Sequence, residues 1–365
     1  MVMARRVVPV VLAGAAVVLA GAVAVVALTP VPVAVAETRG RASVDQFAAQ
    51  SYRSSQAVTA LVPAGLPGCS AAVARDGVVV WAGAAGLADL ATGAPDTTET
   101  RFDIASLTKQ FTATAVLMLQ RDGSLSLSDP IASYVDGLPE WGATITLDQL
   151  MHHTSRIPDY WVELDRLGIG FTDPADQAMT LDAIRRETEL DEGEGYEYSN
   201  SNYVLLAAVV ERVSGQSFAD FLAERIFAPL GLDMVLAPTL HAPDIALSYD
   251  DDLSLQEAGW TSYGHTGIVT TPSVLAVWGD QYRVGDIIQA DFETGAVVNS
   301  VETGERYGAG IYIAADGSLN HQGRMGGFIT DFQVSADRHT VITVMCNGHL
   351  SNRNGLASAL WEIWG

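Results

Sequence analysis

The sequence predicts a mixed α/β fold of the α+β type. An antiparallel sheet of five or more strands is drawn from the N- and C-terminal segments and flanked by helices, with a helical lobe inserted between. Two short apolar runs, 69–75 and 78–85, are joined by Asp76-Gly77, a dipeptide suited to a tight hairpin. Strand-like runs return only in the tail, at 310–315, 328–335 and 340–346. Residues 130–300 between them are helix-rich with long polar loops. Strands, then helices, then strands describe one discontinuous unit with an insertion, not two sequential domains. The chain has 365 residues, 48% of them hydrophobic, which suits a large core and excludes a disordered protein.

The N-terminus opens on Arg5-Arg6, followed by an uncharged Ala/Val-rich run to Ala34-Val35-Ala36. A basic start, an apolar stretch and a small-x-small ending describe an export signal over residues 1–36. Its removal would take the net charge from −23 to −25, because the two arginines are the only charges in it. The alternative is a retained membrane anchor. Residues 10–28 are long enough to span a bilayer as a helix, and Pro30 and Pro32 then break it. Either reading places the body outside the cytoplasm, and a membrane is a partner only if the segment is retained. Residues 37–60 read as a polar, Ala-rich linker and leading helix, and 61–365 as the folded domain.

After the first hairpin comes a loop rich in Thr, Asp and Gly at 92–101. The next run, 107–121, is apolar on every side and stops at Asp122-Gly123, which predicts a buried helix with a glycine cap. A second helix is expected over 201–213, ending before Gly215. The 43 acidic residues against 20 basic ones disfavour nucleic acid and anionic membranes as partners.

Of those 20 basic residues, 19 are arginine and one is lysine, Lys109. Lysine, unlike arginine, loses its proton readily when buried. Ser106 lies three residues before Lys109, so the two share a helix face, and the helix N-terminus favours negative charge there. A serine hydroxyl is a weak nucleophile until a base takes its proton, and a desolvated amine can do so. The bland alternative is a capping serine and a solvated surface lysine. Tyr198-Ser199-Asn200 is the only Tyr-x-Asn of the chain. A tyrosine beside an amine can relay a proton, and an asparagine can hold an amide, although Asn200 or Ser201 also suits a helix cap. A His-x-Gly occurs twice, at His265 and at His321 with Gly323. A strand of this kind can offer a backbone N–H to an oxyanion. No third ligand accompanies His152-His153 at a metal-binding spacing, Asp250-Asp251-Asp252 reads as a solvated loop, and no Gly-x-Ser-x-Gly is present.

In that order, Ser-x-x-Lys, Tyr-x-Asn and His-x-Gly resemble the serine β-lactamase and penicillin-binding-protein superfamily, most of all its branch of class C β-lactamases, D,D-carboxypeptidases and esterases. The resemblance covers residues 60–365. It extends to Leu150-Met151-His152-His153-Thr154-Ser155, to 267–272 with the following helix to Trp278, and to Tyr307-Gly308-Ala309-Gly310. These landmarks favour His321 over His265 as the third motif. The resemblance implies a β-lactamase/transpeptidase-like fold with Ser106 as the acylated nucleophile. Lys109 and Tyr198 would share the proton traffic, and Asn200 would contact the substrate amide. His321 stands where many relatives have lysine, Gly323 admits the substrate, and the N–H groups of Ser106 and Arg324 would form the oxyanion hole. Three residues depart from the pattern: Arg156, where glycine is usual, and Gln322 and Arg324. Arg324 is placed to bind a substrate carboxylate or merely to face solvent. The implied sheet sets its first strand against its last, so Cys69 and Cys346 would face each other as a disulfide or as two buried thiols. The expected function is an exported serine hydrolase working through acyl-Ser106 on a D-alanyl peptide, a β-lactam or a related amide. A carboxylesterase on the same site is the second reading, and an anchored sensor that is acylated without turnover is the third. The partner is a small-molecule or peptide substrate, no cofactor or metal is called for, and the oligomeric state stays open.

Overall fold

The computed structural model describes residues 39–365 apart from 238–241, 243, 287 and 349–352. The leader expected over residues 1–36 lies outside the described residues. Among those described, no helix is long and apolar enough to cross a membrane.

Eight strands make the main sheet: β1 (Cys69–Arg75), β2 (Val78–Ala85), β3 (Val297–Ser300), β4 (Glu305–Tyr307), β5 (Tyr312–Ile313), β6 (Leu319–Met325), β7 (Phe328–Val334) and β8 (Thr340–Cys346). Their order is β2-β1-β8-β7-β6-β5-β4-β3, so the first strand lies beside the last, second and third in the sheet, and β1 runs antiparallel to β8. Asp76 and Gly77 both take positive φ, 51° and 76°, which is the backbone a two-residue hairpin needs. The sequence pattern predicts no strand at β3 or β4. Both are short pieces at the sheet edge with mixed polarity, and they are strands because their neighbours pair with them.

The sheet is covered on both faces, and β8 is buried along its whole length. On one face α1 (Arg39–Leu61) and the residue after it pack Val58 and Val62 among Val73, Val344, Leu356 and Trp364. The Trp364 indole N–H donates to Ser54 Oγ at 2.8 Å, which ties that helix to the C-terminal one. On the other face lie α2 (Lys109–Arg121), α3 (Asn200–Ser214) and α4 (Pro272–Trp278), while α5 (Arg353–Trp364) shares the α1 side. The helix expected over 107–121 begins as a regular α-helix only at Lys109; Ala105–Thr108 form a 3-10 turn before it. Gly123 and Gly215 take positive φ, 73° and 71°, where the two predicted helices stop. A small ribbon of Phe102–Asp103, Ile268–Thr270 and Val235–Leu236 sits beside the 3-10 turn and fixes its entry.

Cys69 and Cys346 are register partners in β1 and β8, and their sulfurs are bonded at 2.01 Å. The crosslink spans 277 residues of sequence and closes nearly the whole described chain. Closing so long a loop restrains the unfolded state more than the folded one, so removal should destabilise by about 2–5 kcal/mol. Intact mass of the denatured protein should rise by two hydrogens on reduction, and a Cys69→Ala/Cys346→Ala variant should unfold at lower denaturant. An unchanged mass would contradict the pairing.

Candidate active site

Ser106 stands in the 3-10 turn that leads into α2, and several groups dictate the shape of that turn. Ala105 takes φ +51°, a conformation that disfavours any residue with a Cβ. The Asp103 carboxylate holds it by accepting from the Ala105 N–H at 2.7 Å. The Ile104 N–H donates to Ile268 O at 2.9 Å, and the Ile104 carbonyl accepts from Thr330 Oγ1 at 3.0 Å. Burial pushes the Asp103 carboxyl up to about 6, while its backbone donors pull the other way. The result is a half-buried Ser106 presented at the floor of a cleft.

Lys109 opens α2 one turn later and has no solvent exposure. Its Nζ lies 3.1 Å from Ser106 Oγ, 2.8 Å from Asn200 Oδ1 and 3.1 Å from the His265 carbonyl. It also sits over the rings of Tyr198 and Tyr203, at 4.9 and 5.6 Å from their centroids. Burial lowers its pKa from the ordinary lysine value to about 7, against a smaller upward pull from the Asp159 carboxylate. An exposed surface lysine is therefore ruled out for this position.

Tyr198, Ser199 and Asn200 form the approach to α3, and Asp159 and His153 hold them. Asp159 Oδ2 accepts from the Asn200 N–H at 2.9 Å and from its Nδ2 at 2.8 Å. His153 stacks on Tyr198 at 4.3 Å, and its Nδ1 accepts from the Ser199 N–H and the Asn202 Nδ2 at 3.2 and 2.9 Å. That leaves the His153 proton on Nε2, and burial keeps the ring neutral. A hydrogen bond joins Tyr198 to the Ser106 side chain, while burial raises the phenol well above its ordinary value. Tyr198 is accordingly a protonated hydroxyl within reach of the nucleophile.

The far wall is β6, which pairs along its length with β7 but meets β5 only at Leu319 and Asn320. The stretch from His321 onward thus turns its other edge to the Ser106 turn. Gly323 makes this possible: a Cβ there would stand 2.3 Å from Thr330 Oγ1 and 2.7 Å from Ile104 O. Gly310 does the same for α2, since a Cβ would come within 2.6 Å of Lys109 O. His321 is buried. Its Nδ1 lies 2.7 Å from Gln322 O and its Nε2 3.4 Å from the Tyr307 hydroxyl. Burial, with Lys109 nearby, pushes its pKa down to about 3, so it stays neutral in any ordinary buffer. Arg324 is exposed and lines both the cleft and a neighbouring pocket that contains Asp250, Asp251 and Asp252. The cleft measures about 730 Å³ and is lined by Ser106, Tyr198, Asn200, Tyr312, His321 and Gly323 among others.

The structure thus brings Ser106, Tyr198, Asn200, His321, Gly323 and Arg324 to one cleft, with Lys109 buried behind Ser106 and Asn200. Cys69 and Cys346 are not among its lining residues. His265 contributes its backbone carbonyl to Lys109, while its ring bonds the Tyr160 hydroxyl at 2.8 Å. His152 bonds back to Asp148, and among the described residues no cluster of metal-ligating side chains occurs.

The beta-lactamase family model matches residues 55–361. The chain belongs to the beta-lactamase family. It is 33% identical over 168 residues to penicillin-binding protein 4* of Bacillus subtilis (strain 168), covering 44% of this chain and 36% of that protein. It is 36% identical over 169 residues to the D-aminopeptidase of Brucella anthropi, covering 46% of this chain and 32% of that one. The chain therefore spans about a third of the length of these curated relatives. The D-amino acid amidase from Ochrobactrum anthropi SV3, solved with L-phenylalanine, superposes with a TM-score of 0.72 at 22% identity, covering 87% of this chain and 98% of that structure. That similarity establishes the beta-lactamase fold.

Against the family pattern, Arg156 becomes intelligible. It takes φ +62°, the conformation for which glycine is the usual choice. The guanidinium reaches Glu197 at 3.1 Å and the Glu192 carbonyl, while the Arg156 carbonyl accepts from the Asp191 N–H at 2.8 Å. An arginine here fastens the loop that delivers Tyr198.

Gly323→Ala should lower kcat/KM at least about tenfold and reduce stability by about 1–3 kcal/mol, because the Thr330 hydroxyl and the Ile104 carbonyl both crowd the new methyl. Steady-state kinetics beside a thermal melt checks this, and full activity would mean that β6 does not press on the Ser106 turn.

Proposed function

We propose that the chain is an exported hydrolase that works through an acyl-Ser106 intermediate on an amide substrate, of the kind named in its D-aminopeptidase relatives. One observation carries the reading: Lys109 Nζ lies 3.1 Å from Ser106 Oγ at a site whose burial brings the amine to about 7. At neutral pH a large fraction of Lys109 carries a lone pair, whereas Tyr198 keeps its proton. The Lys109 lone pair takes the Ser106 proton as Oγ bonds the substrate carbonyl carbon. The carbonyl oxygen takes up the electron pair and faces the N–H groups of Ser106 and Arg324. The proton passes from Lys109 through the Tyr198 hydroxyl to the leaving nitrogen as its bond to carbon breaks. Water then adds to the acyl carbon, and the same groups return the proton to Ser106.

His321 supports the second reading, an esterase, and bears on the leaving group in both. A neutral, buried ring offers no charge to a substrate carboxylate, and Arg324 also lines the neighbouring pocket that contains Asp250, Asp251 and Asp252. Amides and esters with uncharged leaving groups therefore suit this cleft better than D-alanyl-D-alanine or a β-lactam does. The leader motif at residues 34–36 and the disulfide both favour an oxidising compartment.

The test is a panel of a D-amino acid anilide, a short-chain nitrophenyl ester, D-Ala-D-Ala peptide and penicillin, run on wild type and Ser106→Ala. The anilide or ester should turn over, and Ser106→Ala should lose at least about 10⁴-fold. Activity surviving in the alanine variant would remove Ser106 from the mechanism. A stoichiometric burst without turnover would identify the anchored sensor instead. Sequencing the exported protein should read from Glu37, and an intact Met1 in the membrane fraction would replace the signal by an anchor.

A further inference from the structure

Asp159 precedes the helix Tyr160–Arg166 and belongs to none of the motifs described above. Its significance follows from the number of protons on the groups around Lys109. A neutral amine has two N–H donors and one lone pair. Of its three partners, the His265 carbonyl can only accept. Ser106 Oγ can accept or donate. Asn200 is the variable: a carboxamide offers an oxygen at one end and an N–H₂ of nearly the same shape at the other. With Oδ1 toward Lys109, as found at 2.8 Å, the two obligate acceptors take both N–H groups. The lone pair is left only one partner that can donate to it, the Ser106 hydroxyl. With Asn200 turned over, its N–H would occupy that lone pair and Ser106 would have no base.

The choice of end is made at Asp159. Its Oδ2 accepts from the Asn200 backbone N–H and, on the same oxygen, from Nδ2. Burial raises the Asp159 pKa, while the two Asn200 donors and Lys109 pull it down; in its ionised form the carboxylate can only accept, so turning the carboxamide would set oxygen against oxygen. We propose that Asp159 is a positioning residue: by accepting both donors of Asn200 it makes that side chain present oxygen to Lys109, and so aims the lysine lone pair at Ser106. This rests on the reading of Lys109 as the base for Ser106.

The groups facing Lys109 separate this role from plain structural support. Tyr198 and Tyr203 flank it with neutral rings, and burial holds His153, His265 and His321 neutral. The acid acting on Lys109 is Asp159, whose charge raises the affinity of the amine for its proton. Asp159→Asn can keep an oxygen in place for both Asn200 donors while losing the charge. Asp159→Ala keeps neither.

The experiment is the pH profile of kcat/KM for ester or anilide hydrolysis by the full chain, with Ser106→Ala as the blank and a melt for every variant. Asp159→Asn should keep kcat within about tenfold of wild type, with its ascending limb moved to lower pH. Asp159→Ala should lose about 10²-fold or more in kcat, with KM little changed and the fold retained. An Asp159→Ala enzyme within threefold of wild type overturns the proposal. So does an Asp159→Asn enzyme whose limb is unmoved or moves up, and that criterion decides alone if the alanine variant does not fold. An inert Ser106→Ala with unaffected Asp159 variants sinks this inference only, whereas an active Ser106→Ala sinks the reading beneath it.

Discussion

Lys109 has lost all contact with water, and the groups that replace water around it come from segments far apart in the chain. Asn200 is 91 positions away and the His265 carbonyl 156. An amine so enclosed is costly to charge, and in this site that cost becomes chemistry, because it lowers the affinity for the proton to where a base is useful. Much of the local architecture serves the enclosure. The bare edges at Gly310 and Gly323 let two chain segments press on the start of α2. The small ribbon fixes the 3-10 turn, and the tyrosines behind Lys109 fill space without adding charge.

The neutrality of those surroundings is as informative as the amine itself. His153, His265 and His321 are all buried and all kept from protonating, and Tyr198 keeps its proton. Asp159 is thus the acid that acts on Lys109 in the inner site, in a protein whose net charge is −23. A cleft of this kind offers shape and neutral hydrogen bonds more than a fixed cation. Arg324 is the exception, and it lines both the cleft and the adjoining pocket with its aspartates.

The parts of this arrangement legible in the sequence were those with a local signal. The hairpin showed in Asp76-Gly77, the buried helix in its unbroken apolar run, and the Ser106–Lys109 pair in a spacing that one helical turn enforces. β3 and β4 gave no such signal, since Val297–Ser300 and Glu305–Tyr307 are strands only because their neighbours pair with them. Asp103 and Asp159 carry no local signal for a related reason, and His153, though part of the Leu150–Ser155 stretch, shows no role there. Each acts by accepting hydrogen bonds or by stacking in tertiary contact, which no local pattern encodes. The His265 carbonyl was invisible in principle, because every residue has one. Arg156 was legible as a departure, yet its explanation needed a backbone angle.

The central claim is that Lys109, made neutral by burial, accepts the Ser106 proton. It is tested most directly by the acylation rate constant as a function of pH, measured in a single turnover on wild type and Lys109→Arg. The account predicts a wild-type rate that rises through a pKa near the value of about 7 set by burial. It also predicts a Lys109→Arg rate lower by about 10²-fold or more, with that rise abolished, because arginine keeps the charge and cannot give up its proton. Acylation of Lys109→Arg at the wild-type rate would contradict it and leave Lys109 an electrostatic bystander.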